Sequence, residues 1–550
     1  MSRDNTSRRS FVIGGAAGLA AFAGAPALVL RHARYDLVIR NGTVFDGLGK
    51  AGTEGDVGIA GGRITAVARR IAERGTDEID ARGLAVSPGF IDIHSHGDGS
   101  LTEDPRAESL VRQGLTTIVV GQDGSSRAPS HGRSDPATNG GETFDTLFAS
   151  IDKLRPSVNV ASMVGLGSLR EIVVGEDDRP ATVDEMARMV AMVQQALAQG
   201  ACGASSGLEY TPGAFAPLDE LITLCKPLAA RRLPYATHMR NEDDTLLEAI
   251  DESIAVARGA KCPLQISHLK TEGPRNWGKL NDVFARIATA RGAGIDVAFD
   301  RYPYIAYQTG LTNLFPVWSR DGGTDAFLAR LSDPSTAARI RTEALGKTDL
   351  IGGWDNVMIV SVRDPSDKAA EGKRLGAYAR GLGQDPYEFA TAMLKRNRAS
   401  VGMVGFAMSE DNLDRILAHA QGMVCSDGGA FAIDGPTRRG SPHPRGIGTF
   451  PRVIARYSRE RKAITLEQAI NKMTALPASR VRLADRGQIG VGFAADVVVF
   501  DPARIEDKAT YDQPFQYPVG INAVVVNGAI ALRDGQRSAG GNGRALRPAK

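Results

Sequence analysis

Short apolar runs alternate with helical patterns from residue 88 to residue 480, and this alternation constrains the fold more than any other feature of the sequence. Each run ends in a polar loop. Eight such runs occur, at residues 89–96, 116–121, 158–165, 202–210, 235–240, 264–270, 295–304 and 423–427. Helical patterns, such as those at 183–199 and 243–257, separate the runs. Eight strand–helix units predict an α/β fold built on a (β/α)8 TIM-type barrel rather than on a doubly wound sheet.

Segments of alternating apolar and polar residues flank this region at both ends, at 34–87 and 481–532. Such alternation with Asn-Gly turns is typical of β-hairpins, so we expect a small β-sandwich domain built from both termini around a barrel at 88–480. The seventh and eighth runs lie more than a hundred residues apart, far more than one crossover helix requires. This surplus predicts an inserted subdomain or lid at about 308–375. The Gly/Arg/Ala-rich composition of 533–550 predicts a disordered tail.

Residues of the metal-ligand type stand at the ends of several of these runs. His94 and His96 end the first run, and because alternate side chains of a strand share a face, their imidazoles project together. His238, His268 and Asp427 stand at the ends of the fifth, sixth and eighth runs. One His-x-His is weak evidence by itself. Its repetition at the strand ends where such barrels carry their chemistry predicts a divalent-metal site.

The net charge of +3 is close to neutral for 550 residues. It gives no indication of a nucleic-acid partner or of binding to an anionic membrane. The four cysteines, Cys202, Cys225, Cys262 and Cys425, include no Cys-x-x-Cys pair. Most stand in or beside predicted strands and helices, which favours buried free thiols over a disulfide framework.

The N-terminus resembles a bacterial twin-arginine signal over residues 1–27. Arg8 and Arg9 precede a modest Gly/Ala-rich apolar run at 13–22, and Ala25-Pro26-Ala27 offers a cleavage site. No other stretch of the sequence approaches the roughly 20 apolar residues that a membrane span needs. We therefore expect a periplasmic or secreted protein without a stable membrane span after processing. An uncleaved amphipathic anchor is the alternative.

These motifs together resemble those of the amidohydrolase superfamily, and more closely those of the N-acyl-D-amino-acid deacylases, or D-aminoacylases. The first signs are the His-x-His that follows a Pro-Gly, the two strand-end histidines and the final aspartate. The closer resemblance rests on the segments 207–213, 237–242, 266–270, 302–304, 408–412, 426–428 and 443–452. It covers the chain from about residue 35 to about residue 530.

The resemblance implies a set of site residues. The implied metal ligands are His94, His96, His238, His268 and Asp427. Asp427 would also act as the general base, and Arg445 would bind the α-carboxylate of the substrate. Tyr210, Lys270 and Tyr302 match positions that contact the substrate. The implied cofactor is one or two Zn²⁺ ions, with Mn²⁺, Co²⁺ and Fe²⁺ as alternatives.

One position departs from the family pattern. The family usually has Gly-Asn-Cys-Gly after the second strand, with a cysteine that binds or bridges zinc. This chain has Gly121-Gln122-Asp123-Gly124, so Asp123 takes the place of the cysteine. A carboxylate can ligate or bridge through two oxygens and makes the site harder in ligand character. We expect Asp123 to be a metal ligand. The alternative is that it caps a loop.

The resemblance implies hydrolysis of the amide bond of N-acyl-D-amino acids, which releases a carboxylic acid and a D-amino acid. The substrate would be a small molecule with an amide and a free carboxylate. A bound Zn²⁺ lowers the pKa of its water to about 7, which suits amide hydrolysis at neutral pH.

Three alternatives differ from this function. A metallo-dipeptidase acting on dipeptides with a C-terminal D-residue needs the same metal and carboxylate clamp. Cyclic-amide hydrolases of the superfamily bridge their metals with a carboxylated lysine on the fourth strand, and residues 202–208 contain no lysine. A catalytically inactive barrel that serves as a periplasmic binding protein is the alternative from another class.

Overall fold

The computed structural model describes residues 34–130 and 142–549. The predicted signal segment, residues 1–27, lies outside the described residues. In chain order the strands are β1 (Tyr35–Val44), β2 (Thr53–Ala60), β3 (Arg63–Ala68), β4 (Gly75–Asp80), β5 (Ala85–Pro88), β6 (Phe90–Asp92), β7 (Leu115–Val120), β8 (Asn159–Ser162), β9 (Val164–Gly165), β10 (Ala204–Gly207), β11 (Tyr235–His238), β12 (Leu264–Ile266), β13 (Val297–Arg301), β14 (Ala306–Gly310), β15 (Val357–Ser361), β16 (Gly402–Phe406), β17 (Gly422–Val424), β18 (Val497–Phe500), β19 (Ile521–Val526), β20 (Ala529–Arg533) and β21 (Gln536–Arg537).

The α-helices alternate along the chain with the strands of the central region. They are α1 (Asp98–Glu103), α2 (Glu108–Val111), α3 (Phe144–Leu154), α4 (Leu166–Val173), α5 (Val183–Gln199), α6 (Leu218–Cys225), α7 (Leu246–Ala260), α8 (Leu280–Gly292), α9 (Gly323–Arg330), α10 (Pro334–Leu350), α11 (Leu375–Gly381), α12 (Pro386–Arg396), α13 (Glu410–Ala418), α14 (Arg445–Arg452), α15 (Leu466–Met473) and α16 (Ala475–Arg480). Among the described residues, no helix combines the length and the apolar character needed to cross a membrane.

Helix α5 shows how local sequence sets these boundaries. Thr182 and Glu185 form a capping box, in which each side chain accepts a hydrogen bond from the backbone of the other residue. The helix ends at Gly200, whose φ of 111° lies in the left-handed region that favours glycine. Its buried residues, among them Met189 and Val193, recur at helical spacing and form the face that packs into the core.

The central strands pair in parallel within two sheets. One sheet has the order β6-β7-β8, and the other has the order β17-β13-β12-β11-β10-β9. Strands such as β7, β11 and β13 are buried along their whole length because helices cover one face and the interior covers the other. This double burial explains why they appear in the sequence as continuous apolar runs. The predicted α/β class is confirmed.

Backbone hydrogen bonds connect these two sheets at both edges. The amide of Cys202, just before β10, donates to the carbonyl of Ser162 in β8 at 2.9 Å. At the opposite edge, the amide of Asp427 donates to the carbonyl of His94, and the amide of His96 donates to Gly428, each at 2.9 Å. The carboxyl ends of β17 and β6 are therefore held side by side. All four cysteines are buried and free, which confirms the prediction made for them.

The two terminal segments share one nine-stranded sheet of order β21-β20-β19-β18-β5-β1-β2-β3, with β4 paired to β1. They meet where β18 runs antiparallel to β5, with Val497 opposite Pro88 and Phe500 opposite Ala85. Val57, Val86, Val499 and other aliphatic side chains from both segments form its core.

The inserted region is larger than the sequence predicts. Strands β14, β16 and β15 form an antiparallel sheet, and β16 pairs with β14 along its length. This sheet extends to Phe406, beyond the limit of 375 given for the predicted insert.

The C-terminal residues, for which composition predicts disorder, pack beside β8 in the structure, which describes them through residue 549. The amide of Val160 donates to the carbonyl of Arg544 at 3.0 Å, and the amide of Leu546 donates to Val160 at 2.8 Å. The tail approaches so closely that a Cβ on Gly543 would lie 2.0 Å from the carbonyl oxygen of Val158. The glycines that made the composition look disordered are the residues that permit this close approach, so composition alone did not reveal the packing. Since Val158 and Val160 lie at the beginning of β8, the tail covers the face opposite the strand ends that carry the site.

We predict that Leu546→Ala lowers the free energy of unfolding by about 2–5 kcal/mol, because its side chain is only 7% exposed and belongs to the core. Chemical denaturation measures the change. Leu382→Ala is the matched control, since Leu382 is 52% exposed and should change stability little. Equal stability of Leu546→Ala and the parent protein would contradict the packing of the tail.

Candidate metal centre

Six side chains of the metal-ligand type converge at the carboxyl ends of the parallel strands. The six are His94 and His96 after β6, Asp123 after β7, His238 at the end of β11, His268 after β12 and Asp427 after β17. Each leaves its strand where a polar loop begins, and parallel strands bring all these loops to one face. The structure thus brings together the residues that the sequence proposed as ligands.

The first group contains His94, His96, Asp123 and Asp427. The Nε2 atoms of His94 and His96 each lie 3.4 Å from Oδ2 of Asp123. Oδ1 of Asp427 lies 3.1 Å from Nε2 of His96 and 3.7 Å from Nε2 of His94. One candidate ligand atom from each of the four side chains falls within 4.8 Å of the others.

The second group shares Asp123 with the first. Nδ1 of His238 lies 3.0 Å from Nε2 of His268, which lies 3.6 Å from Oδ2 of Asp123. The same carboxylate therefore faces imidazoles of both groups. Its Oδ1 is buried and has no hydrogen-bond partner among the described residues. This arrangement fits a ligand that bridges two ions and does not resemble a loop cap, which would accept backbone amides.

The spacing of these atoms fits zinc. Two ligands bound 2.0–2.1 Å from a tetrahedral ion lie about 3.4 Å apart, and the distances above run from 3.0 to 3.7 Å. Four imidazoles and two carboxylates form a donor set that suits Zn²⁺ and is harder than one containing a thiolate.

The second nitrogen of three of the imidazoles is oriented by a neighbouring group, as is usual for metal-binding histidines. Nδ1 of His94 faces Oδ1 of Asp300 at 3.6 Å. Nε2 of His238 lies 3.3 Å from Oε2 of Glu209. Nδ1 of His268 lies 3.2 Å from Oε1 of Glu242. These contacts point the remaining nitrogens toward Asp123.

Glu209 and Glu242 were not recognised from the sequence as site residues, although they follow the ends of β10 and β11. Together with His238 they form a third group of possible ligands. However, Nζ of Lys270 lies 2.5 Å from Glu242, and Nζ of Lys347 lies 3.7 Å from Glu209. Because each carboxylate already faces an ammonium group, we assign Glu209 to the orientation of His238 and Glu242 to that of His268 rather than to a third ion.

Asp92, a buried residue at the end of β6, ties the first and last strand ends together. Its Oδ1 accepts hydrogen bonds from the amides of His94 at 3.3 Å and Ser426 at 2.8 Å. Its Oδ2 accepts the hydroxyl of Ser426. Burial raises the pKa of Asp92 to about 7, although these hydrogen bonds act in the opposite direction. The contacts fix His94 relative to Asp427.

Three of the candidate ligands occupy the left-handed region of backbone conformation. The φ angles are 52° for Asp123, 37° for His268 and 49° for Asp427. Such conformations are uncommon for residues other than glycine and persist where surrounding contacts enforce them. Each turns the chain sharply at a strand end, so that the side chain points across the site.

The predicted substrate residues line a cavity of about 400 Å³ together with all the candidate ligands except His94. Nη1 of Arg445 lies 2.6 Å from Oδ2 of Asp427, and its guanidinium lies over the ring of Tyr302 at 4.7 Å. The hydroxyl of Tyr302 is buried without a hydrogen-bond partner among the described residues. The hydroxyl of Tyr210 lies 3.5 Å from Nδ1 of His238, and Lys270 completes the set.

Arg445 is positioned by His443, which the sequence placed in a motif without assigning it a role. The amide of Arg445 donates to Nδ1 of His443 at 2.9 Å, and Nε2 of the same ring lies 2.9 Å from the carbonyl of Ala306. Burial and the charge of Arg445 hold the pKa of His443 well below its ordinary value. A neutral ring protonated on Nε2 satisfies both contacts.

The charges around Asp427 favour its ionised form. Burial alone would raise the pKa of this carboxyl, but the guanidinium of Arg445 and the neighbouring imidazoles hold it well below its usual range. The same Asp427 thus faces the candidate ligands through one oxygen and the guanidinium through the other.

Comparisons with known proteins agree with this geometry. The model of the amidohydrolase family matches residues 77–329 and 429–532. The chain is 37% identical to an N-acyl-D-glutamate deacylase of Alcaligenes xylosoxydans xylosoxydans, over 91% of this chain and 94% of that protein. It is 35% identical to a D-aminoacylase of the same organism, over 90% and 94%.

A solved structure shows the same likeness. It is the N-acyl-D-glutamate deacylase from Bordetella bronchiseptica, complexed with zinc and a phosphonate inhibitor that mimics the tetrahedral intermediate of the reaction. The two structures share a TM-score of 0.79 and 36% sequence identity, over 93% of this chain and 99% of that one.

We predict that Asp123→Ala loses metal during dialysis and loses hydrolytic rate by at least about tenfold, because both groups of imidazoles lose their shared ligand. Elemental analysis measures the metal. Asp123→Cys is the matched variant and should retain zinc, since a thiolate donates from the same position. If Asp123→Ala keeps full metal content and full activity, Asp123 is not a ligand.

Proposed function

The chain belongs to the amidohydrolase family, and on this premise we propose that it hydrolyses the amide bond of N-acyl-D-amino acids, releasing a carboxylic acid and a D-amino acid. The substrate is a small molecule that carries an amide and a free carboxylate. The similarity to deacylases of N-acyl-D-amino acids supports both the reaction and the preference for D-amino-acid substrates. The arrangement of Arg445 and the candidate ligands supports the position of the carboxylate.

The contact between Arg445 and Asp427 is the observation that carries this proposal. The guanidinium lies 2.6 Å from the carboxylate that would serve as general base. A carboxylate bound to Arg445 therefore lies close to an amide held at Asp427. In an N-acyl-α-amino acid, a single carbon atom separates the carboxylate from the amide nitrogen. A carboxylate several bonds farther from the amide would not reach Arg445 while the amide remained at the base.

One or two zinc ions would be held by the two groups of ligands that share Asp123. When bound, zinc supplies Lewis-acid polarisation of water and of the amide carbonyl. Asp427 accepts a proton from the attacking water and returns a proton to the amide nitrogen as the C–N bond breaks. Water and amide are thereby converted into a carboxylic acid and an amine.

The remaining polar groups orient the substrate. Arg445 offers two parallel N–H donors that match a carboxylate, and Tyr302 offers a hydroxyl without a hydrogen-bond partner beside it. Tyr210, beside His238, is placed to donate to the oxygen of the scissile carbonyl as negative charge develops there. Burial raises the pKa of Tyr210 well above its ordinary value, so its hydroxyl stays protonated and can act as a hydrogen-bond donor.

We assign the two parallel sheets to one (β/α)8 barrel and the terminal sheet to a small β-sandwich. The backbone bonds between β8 and β10, and between the ends of β17 and β6, support a continuous ring of strands. In such a barrel the catalytic groups come from the ends of several different strands, as proposed here.

Two alternatives remain distinct from this proposal. A dipeptide with a C-terminal D-residue presents the same amide and carboxylate and differs only by an amino group on the acyl side. A catalytically inactive binding protein would have no need for two groups of ligands spaced for metal. The assays below separate these functions.

We predict that the zinc-reconstituted protein hydrolyses N-acetyl-D-amino acids with a higher kcat/KM than their L-enantiomers. Parallel assays with L-Xaa-D-Xaa dipeptides compare deacylase and dipeptidase activity directly. Faster turnover of the L-series would contradict the stereochemical assignment, and absence of turnover with a full metal complement would favour a binding protein.

We predict that Arg445→Ala lowers kcat/KM for N-acetyl-D-amino acids by about 10- to 100-fold, because a charge-assisted contact to the carboxylate is lost. The matched substrate is the corresponding N-acetyl-D-amino acid amide, which has no carboxylate and should lose much less. Equal losses on both substrates would exclude Arg445 from carboxylate binding.

We propose that the protein is exported through the twin-arginine pathway to the periplasm or beyond. Support comes from Arg8, Arg9 and the apolar run that follows. We predict that the parent protein is found outside the cytoplasm in a shortened form, whereas Arg8→Lys/Arg9→Lys stays inside at full length. Cell fractionation with immunoblotting measures both. Identical fractionation of the two proteins would contradict this route.

A further inference from the structure

A second cavity adjoins the catalytic pocket. It has a volume of about 640 Å³ and shares Tyr210 and Thr211 with that pocket. The charged residues in its wall are three arginines, Arg320, Arg363 and Arg398, and one glutamate, Glu176. None of these four belongs to the proposed catalytic machinery, and their charges leave the cavity positive.

Arg320 is the most unusual residue of this cavity. It ends a short 3-10 helix, Val317–Arg320, and is only 8% exposed. Its Nη2 donates to the carbonyl of Glu209 at 3.1 Å, but its Nε has no hydrogen-bond partner. Within residues 34–130 and 142–549, no carboxylate forms an ion pair with it. Burial lowers the pKa of Arg320 below its ordinary value, and the negative charge of Glu209 acts in the opposite direction without cancelling this effect.

A buried guanidinium without a carboxylate partner is costly, because desolvation is not offset by an opposite charge. Four of the six buried arginines among the described residues have such a partner, whereas Arg301 and Arg320 do not. Arg170 pairs with Glu220 at 2.6 Å, and Arg445 pairs with Asp427 at the same distance. Arg301 donates to the carbonyls of His268 and Tyr304 and lines neither cavity. Arg320 borders the second cavity, so a ligand can supply the missing charge there.

The other charged groups do not replace this partner. Glu176 lies against the beginning of helix α9, where a Cβ on Gly323 would be 2.0 Å from its Oε2. The positive end of the helix stabilises a carboxylate at this position. Arg398 pairs with Asp325 at 2.6 Å, but both side chains are exposed, so this pair contributes little and can rearrange.

We propose that this cavity binds an oxyanion, a carboxylate or a phosphate group, on Arg320, with Arg363 and Arg398 at its rim. Planar N–H donors of arginine match both groups. The wall shared with the catalytic pocket allows two sources. The anion is either a second, distal carboxylate of the substrate or a separate small anion such as inorganic phosphate.

The first experiment titrates inorganic phosphate into the full chain at constant ionic strength, with calorimetric detection. Arg320→Gln should weaken binding by at least about tenfold, whereas Arg320→Lys, which keeps the charge, should weaken it less. Arg188→Gln on α5, an exposed arginine outside the cavity, is the matched control and should bind like the parent. Loss of binding in Arg445→Ala but not in Arg320→Gln would place the phosphate in the catalytic pocket and overturn the proposal.

Arg363→Gln keeps the test decisive if Arg320→Gln does not fold. Arg363 is exposed at the rim, so its replacement leaves the fold intact and should weaken phosphate binding by about threefold. Unchanged affinity in both Arg363→Gln and Arg320→Lys would overturn the proposal.

The second experiment distinguishes the sources and rests on the proposed hydrolase function. It compares kcat/KM for N-acetyl-D-leucine, N-succinyl-D-leucine and N-acetyl-D-glutamate. The measured ratio is kcat/KM for each dicarboxylic substrate divided by kcat/KM for N-acetyl-D-leucine. If the substrate supplies the anion, Arg320→Gln lowers this ratio by about tenfold. An unchanged ratio with lost phosphate binding identifies a separate anion. If neither phosphate affinity nor the ratio changes, the inference fails, whereas failure of the hydrolase function leaves the phosphate result intact.

Discussion

The Asp123 carboxylate is the interaction on which the candidate centre depends. It is the only ligand-type group shared by the two groups of imidazoles among the described residues, with Oδ2 at 3.4 to 3.6 Å from three different rings. This sharing requires a backbone in the left-handed region at Asp123, and similar turns occur at His268 and Asp427. The strand ends therefore hold strained residues in positions that ordinary loop geometry would not reach.

Around this carboxylate, buried charges form ion pairs whose main effect is to orient the neighbouring imidazoles. Glu242 lies between Lys270 and the imidazole of His268, and Glu209 lies between Lys347 and the imidazole of His238. Burying these charges is costly, and each is retained with an opposite charge beside it. The pairs direct the imidazoles toward the centre, whereas Arg320 has no ion-pair partner among the described residues and lines the second cavity.

The sequence predicted the α/β class because strands covered on both faces appear as continuous apolar runs. It did not predict the end of the insert, because the return of β16 to pair with β14 is a contact between residues almost a hundred positions apart. It also assigned disorder to the tail, because glycine-rich composition has the same appearance whether the chain is free or packed closely against a strand. Gly543 shows the second case.

For the site, the sequence by itself determined which residues could be ligands and which of them share a strand face. His94 and His96 project together because side chains alternate along an extended chain, and His238, His268 and Asp427 stand where apolar runs end. Family resemblance added Asp123 and Arg445 as candidates. Only the tertiary structure decided that Asp123 lies between two pairs of imidazoles, that Arg445 lies 2.6 Å from Asp427, and that Glu209 orients His238. These distances depend on the order of the strands and the direction of the loops that leave them, and no local pattern encodes either.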